Sequence, residues 1–330
     1  MKKQINKKNF IYLMGEKIPF ESKTINIFDL KFFSENPRIG SIIAQAKHKI
    51  TEEFLDEKLW EDENTHKLYK DIERDGGLIN PIIVEDNRVL EGNTRLCVYR
   101  HLWQNSVGDQ KKKWEKISCS VLSKKLTKEQ LYTLLSTEHI SGKIEWNTYQ
   151  KGLLLTKMLE KDKYPYEKIS DITKLSLPAV KDHIKAYKLM VKAKDSDEHK
   201  FSYYMQLVSY GPVKKITKKD PMLTANIVAA IKKGQFRDAR EIRKIPLIYK
   251  HKTAKKNFFE KGEKCEKVYL DLKTIKPTID SPFLRLIEDL IKRIEELTRE
   301  ERDGYAQDGD FKYKIQKLSR EIKNLIQEIK

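Results

Sequence analysis

Residues 91–95 read Glu-Gly-Asn-Thr-Arg and stand where a short apolar run, "VL", gives way to a helical pattern. A strand that ends in glycine and runs straight into a helix leaves the first-turn backbone amides unpaired around one point. Gly92 also keeps a Cβ out of a ligand's approach, so the junction has the makings of an anion seat. Asn93 or Thr94 can cap the helix. Arg95 in the first turn is opposed by the helix dipole, a conflict that a bound phosphate resolves. A second reading stays open: Gly92 only makes the turn, and Arg95 pairs with Glu91 or a nearby Asp.

The elements that must position this junction follow from pattern. Residues 9–30 alternate short apolar runs with polar breaks, as strands do, and "SENPRIG" follows as a loop. From Glu53 to Arg74, Leu59, Trp60, Leu68, Tyr69 and Ile72 return at helical spacings, and Gly76-Gly77 ends the helix. Pro81 opens the strand "PIIV", "EDNR" turns the chain into "VL", Leu96, Tyr99 and Trp103 mark a helix face, and "ISCSVL" is another strand. This order implies a small α+β domain over residues 1–125.

From Thr127 onward the pattern is helical. "KEQLYTLLSTEH", "WNTYQKGLLLTKMLEKDK", "YEKISDITKL" and "LPAVKDHIKAYKLMVKA" are four consecutive helices, the last two joined by the brief turn "KLS". Ile169 and Ile172 form one apolar stripe, and Val180, Ile184 and Tyr187 a second, which fits a helix-turn-helix over 126–195. Its outward residues are Ser176, Lys181 and Lys185, with His183 beside them, in reach of phosphates or base edges. A plain helical hairpin with a solvated lysine face is the alternative. Residues 196–265 form a basic helical extension in which Phe201, Tyr203, Tyr204 and Phe236 read as core. Over 266–330, Phe283–Leu297 is amphipathic, "ERDGYAQDGD" is a turn, and Ile315, Leu318, Ile322, Leu325 and Ile329 follow a heptad seam. A helical hairpin or coiled coil that makes a homodimer is the expectation, since two-fold binders match two-fold sites.

Charge gives the helical part a partner. The chain of 330 residues carries 67 Lys+Arg against 49 Asp+Glu, net +18; residues 151–260 hold 26 basic and 12 acidic residues, so 26 − 12 = +14 of that excess. Such a field attracts polyanions, double-stranded DNA first among them. No apolar run has the length of a signal peptide core or a membrane span, which makes the cytoplasm the expected location, on the nucleoid if DNA-bound. Cys97, Cys119 and Cys265 are scattered singly, without CxxC spacing or companion histidines, and read as inert, half-buried thiols.

Taken together, "NPRIG" at Asn36, the helix ending in "IERDGGLINPIIV" and then "VLEGNTRLCVYRHL" resemble the N-terminal domain of the ParB partition family, related in fold to sulfiredoxin. The resemblance spans residues 24–125 and implies a ParB/sulfiredoxin-like α+β domain followed by all-α helix-turn-helix and helical C-terminal regions. It also implies a nucleotide, CTP in the partition proteins, bound with Mg²⁺ near Arg38, Gly92, Asn93, Thr94 and Arg95. An acidic-Asn pair that helps hold Mg²⁺ in the family falls here on Glu138 and His139, of which only the carboxylate suits the ion. Sulfiredoxins place a catalytic Cys directly after the Gly, where this chain has Asn93, so sulfinic acid reduction is excluded. The partition proteins carry a Glu-Arg pair where Asn93-Thr94 stand, which leaves weak nucleotide triphosphatase activity as the enzymatic expectation. Two rivals accompany this reading: a ParB-fold enzyme, nuclease or kinase of a small molecule such as serine, with Glu91 as its carboxylate, and an interaction adaptor that has lost its ligand. Partition, transcription control and defence against mobile elements are equally open as roles.

Overall fold

Asn36-Pro37 begins a helix where the sequence reading expects a loop. The Asn36 side chain accepts the Arg38 backbone N–H at 3.0 Å and Pro37 takes the first helical position, where its missing N–H costs nothing. The structure is a computed structural model that describes residues 9–46, 49–139 and 146–329. Its first elements are β1 (Asn9–Leu13), β2 (Glu16–Asn26), β3 (Lys31–Phe32) and α1 (Pro37–Gln45). The single helix expected from Glu53 to Arg74 is two, α2 (Glu52–Trp60) and α3 (Glu63–Asp75). Asp62 breaks it by accepting the Asn64 N–H as an N-cap, and Gly76 ends α3 at φ 74°. There follow β4 (Ile82–Glu85), β5 (Arg88–Glu91), α4 (Asn93–Asn105), α5 (Gly108–Trp114) and β6 (Lys116–Leu122).

The six strands form one mixed sheet in the order β1-β2-β6-β4-β5-β3, with β3 parallel to β5 and β4 parallel to β6. Alternation along the strands gives it two apolar faces. Ile82, Val84, Val89, Ile117 and Cys119 pack with Leu55, Leu59, Ile72, Leu96 and Leu102 of α2, α3 and α4. Leu13, Ile18, Leu90 and Leu122 face the other way.

That second face is covered by the helices that come next: α6 (Lys128–His139), α7 (Thr148–Glu160), α8 (Tyr166–Thr173) and α9 (Leu177–Lys192). Tyr132, Leu135, Leu155, Met158, Ile169, Ile172, Val180 and Ile184 share one buried cluster with the sheet residues. Residues on both sides of position 125 therefore share one buried cluster. The architecture is α+β followed by all-α, as expected from sequence, but the first helices complete the sheet.

The chain divides into two compact units, up to Pro246 and from Leu247. The first ends with α10 (Phe201–Ser209), α11 (Gly211–Lys219) and α12 (Pro221–Lys232), where Phe201, Tyr204 and Phe236 are buried and Tyr203 is half-buried. In the second, helices span Cys265–Ile275, Pro282–Glu296, Arg299–Tyr305 and Gly309–Glu328. The turn expected over "ERDGYAQDGD" is mostly helix, started by a capping box between Thr298 and Glu301. The heptad face of Gly309–Glu328 is not buried within the chain, with Ile315 at 42% and Ile322 at 44% exposure. No helix among the described residues is long and apolar enough to cross a membrane. Cys97, Cys119 and Cys265 are fully buried rather than half-buried, and burial pushes the Cys119 thiol up to about 11.

Candidate nucleotide site and nucleic-acid face

β5 delivers the chain to α4 through Gly92 at φ 100°, a left-handed conformation that L side chains rarely adopt. A Cβ here would lie 2.4 Å from Cγ2 and 2.9 Å from Cβ of Ile82 on the neighbouring strand. Glycine is thus demanded by the turn and by close packing on β4, before any ligand is considered. Gly92 is itself the N-cap, and no side chain caps the helix, although the sequence offers Asn93 and Thr94 for it. The first turn of α4 therefore keeps amides that no capping side chain satisfies, at the positive end of the helix dipole.

The side chains around this turn divide into two groups. Asn36 donates from Nδ2 to the Leu90 carbonyl at 3.4 Å, which brings the start of α1 onto the end of β5. Arg38 then donates from Nη1 to Thr94 Oγ1 at 2.8 Å. The "NPR" and "EGNTR" segments, 56 positions apart at this pair, meet here. Asn93 is buried, and its Oδ1 accepts the Phe33 N–H at 3.0 Å. Arg38 Nε and Asn93 Nδ2 are buried without a hydrogen-bond partner among the described residues. Unsatisfied buried donors beside an uncapped helix start are what an anion would pair.

Arg95 belongs to the second group and turns back. It donates to the Asn80 carbonyl at 2.6 Å and the Pro81 carbonyl at 3.3 Å, and it pairs with Glu91. This is the alternative that the sequence left open, and it places the Arg95 cation in a carboxylate's hold. Glu91 also lies 3.9 Å from His139 Nε2, and the His139 ring stacks on Trp146 at 4.6 Å between centroids. Partial desolvation pushes the Glu138 carboxyl up, the Glu91 charge adds to this, and Arg95 opposes it. Glu91 and Glu138 are oxygen donors of the kind Mg²⁺ takes, and a cation would offset their repulsion; the His139 imidazole suits Mg²⁺ poorly. Residues 140–145, part of the "TEHISGKIEW" stretch that carries this expectation, lie outside the described residues.

The other expected site sits on α8 and α9. The left-handed turn position is taken by Lys174 at φ 59°, and Ser176 caps α9 by accepting the Ala179 N–H at 3.4 Å. The buried stripe of Ile169, Ile172, Val180 and Ile184 leaves Ser176, Lys181 and Lys185 exposed. His183 differs: its Nδ1 lies 2.9 Å from the Ala179 carbonyl oxygen, and burial pushes its pKa below the usual histidine value. The ring stays neutral at pH 7 and half-covered, so it adds no charge to this face.

No protein-family model and no curated protein matches the chain. Solved structures do. One is a C-terminally truncated chromosome-partitioning ParB from Caulobacter crescentus complexed to the centromeric parS site, at 14% identity and TM-score 0.34, covering 66% of this chain and 95% of that one. The chain is similar to ParB. A second ParB structure from the same organism, complexed with CTP-γ-S, covers 63% of this chain and 99% of that one at 14% identity and TM-score 0.24. A Pnob8-like ParB-N domain covers 77% of this chain and 99% of that one at 14% identity and TM-score 0.44.

Proposed function

We propose that this chain is a ParB-like DNA-binding protein whose first unit takes a nucleotide, CTP before others, at the start of α4. The observation that carries the reading is the Arg38–Thr94 hydrogen bond at an uncapped helix N-terminus. It sets Arg38 beside the turn where a triphosphate would lie, while Arg95, in the same first turn, is held by Glu91 and would have to leave that carboxylate to join it. Mg²⁺ would be held by Glu138 with the phosphates, and it would neutralise charge on them.

A route from the seat to the DNA face also exists. Glu91 touches His139 at the end of α6, and Glu35, next to Asn36, pairs with Lys157 of α7 at 2.7 Å. That lysine holds the Glu35 carboxyl below the usual range. Both α6 and α7 pack in the core that seats α8 and α9. A nucleotide that moves Glu91 or the Asn36 segment would act on these helices directly, biasing two arrangements of the DNA face.

Two measurements test this. Titration calorimetry with the four ribonucleoside triphosphates and Mg²⁺ is expected to show binding, strongest for CTP, and to lose it in Arg38→Ala. Fluorescence anisotropy on duplex DNA is expected to show affinity that falls steeply with salt. Lys181→Ala and Lys185→Ala should each reduce the slope of log K against log salt by about 1. Full-length protein that ignores duplex DNA at low salt would overturn the DNA reading. The heptad face is assigned to a homodimer: Leu318→Asp with Leu325→Asp should convert a dimer to a monomer in light scattering, and a wild type monomeric at high concentration would count against it.

The Arg95–Glu91 pair favours a second reading, an adaptor with a vestigial seat. Calorimetry on the wild type separates the two.

A further inference from the structure

α2 and α4 bring three side chains of metal-ligand type together on the sheet's first face, away from the junction at Gly92. Asp56 comes from the middle of α2; Cys97 and His101, one turn apart, come from α4. One ligand atom from each lies within 4.8 Å of the other two. His101 Nε2 is 3.0 Å from Asp56 Oδ2, and Cys97 Sγ is 3.5 Å from the Asp56 carbonyl oxygen.

Several features separate this cluster from an ordinary ion pair. Asp56 is only 8% exposed, and its Oδ1 is buried with no hydrogen-bond partner among the described residues. His101 Nε2 is buried and unpartnered as well; although 3.0 Å from the carboxylate, it is not aligned to donate to it. Arg100 Nη1 lies 3.6 Å from Asp56 Oδ1, an ion pair too long for a hydrogen bond, and leaving both atoms without a hydrogen bond is costly, since buried polar groups are almost always paired. The imidazole is held in orientation by its ring, which stacks on Trp60 at 3.9 Å and 5°.

We propose that Asp56, Cys97 and His101 form a site for a zinc-like divalent metal ion that pins α2 to α4. The donor set of one thiolate, one imidazole and one carboxylate is that of zinc rather than of Mg²⁺ or Ca²⁺. With the carboxylate as one donor, three protein ligands leave a fourth position for water. Binding releases the Cys97 thiol proton, which now points at the Asp56 carbonyl, to solvent, and a sulfur–metal bond replaces it.

Charge balance agrees. Arg100 lies 3.6 Å from Asp56 and 3.6 Å from Glu52, and it donates to the Leu30 carbonyl at 2.8 Å. Two carboxylates, a thiolate, the guanidinium and a divalent cation sum to neutrality. Arg100 would stay on Glu52 and the Leu30 carbonyl, while Asp56 turns to the ion. The site would brace the helix whose first turn is the proposed nucleotide seat, and it does not depend on that seat being occupied.

Titration of the full-length, chelator-treated protein with Co²⁺ tests the proposal. Expected is one equivalent bound, with a sulfur-to-cobalt charge-transfer band in the near ultraviolet and visible bands of tetrahedral or five-coordinate cobalt. Zn²⁺ should displace it and raise the melting temperature relative to chelator. Cys97→Ser should lose the charge-transfer band and His101→Gln should weaken binding by more than the 10–100-fold of an outer-shell change. Cys119→Ser should change neither. Folded wild type that shows no charge-transfer band at stoichiometric Co²⁺, or a band that survives Cys97→Ser, overturns the site. In that event Asp56 is shared by Arg100 and His101 without an ion between them.

Discussion

Gly92→Val is expected to lower stability by about 3 kcal/mol or more, enough to remove a large part of an ordinary domain's margin. Two costs combine. A left-handed backbone costs an L residue about 1–2 kcal/mol, more when it is β-branched. The Cβ would also lie 2.4 Å from Ile82 Cγ2, a distance at which one of the two strands has to move. Overpacking of this kind costs about 1–3 kcal/mol. Gly92→Ala carries the same two costs with a smaller side chain, and about 2 kcal/mol is expected. Pairing it with Ile82→Ala tests the packing part: removal of Cγ2 relieves the closer contact and leaves the 2.9 Å approach to the Ile82 Cβ and the backbone cost, so the double variant should lose less than the sum of the singles. Chemical unfolding followed by circular dichroism reads both effects. A Gly92→Ala protein within about 0.5 kcal/mol of wild type would mean that the junction relaxes freely and that glycine is there for another reason.

Much of this junction could be read before the fold was known, and the limits had physical causes. Strands around "PIIV", "VL" and "ISCSVL" were visible from alternation and turn residues, and the helix from Lys128 to His139 from its period. Asn36-Pro37 carried the signature of an N-cap followed by proline, yet the short segment after it looked like a loop because little apolar period remains there. Asp62 split a continuous apolar period that has no other break. The shared core across residue 125 was beyond reach for a different reason. Leu13, Ile18, Leu90 and Leu122 show that the sheet has a second apolar face, but nothing local says which helices cover it. Cys97 and His101 stand four apart on one helix, a spacing that could have been noticed; their third partner is 41 positions upstream of Cys97 and only the packing of α2 on α4 supplies it. The seat itself was legible as two alternatives, and the structure has features of both: Arg38 reaches Thr94, and Arg95 is on Glu91.

That division makes Glu91 the residue to change. With side chains 18% and 11% exposed, Arg95 and Glu91 form a largely buried pair, and a phosphate can use Arg95 only by drawing it away from the carboxylate. Glu91→Gln removes the competing charge while keeping a hydrogen-bond acceptor of the same size. Nucleotide affinity should rise about tenfold, the equivalent of ~1.4 kcal/mol released from that competition. Arg95→Ala should do the opposite twice over. It removes a phosphate ligand, so binding falls below detection, and it strands the largely buried Glu91 charge without its guanidinium partner, a loss of up to about 3 kcal/mol in stability. A surface pair would have cost at most about 1 kcal/mol, so the melting curve of Arg95→Ala also reports how buried the pair is. Calorimetry on wild type, Glu91→Gln and Arg95→Ala, with Mg²⁺ and with or without DNA, decides between the readings. Binding that strengthens in Glu91→Gln and vanishes in Arg95→Ala marks a seat latched by its own carboxylate. Wild type and Glu91→Gln both deaf to all four nucleotides would leave Gly92 as a packing glycine and Arg95 as a structural cation, and would confine the proposal to DNA binding, which the salt-dependent anisotropy tests by itself.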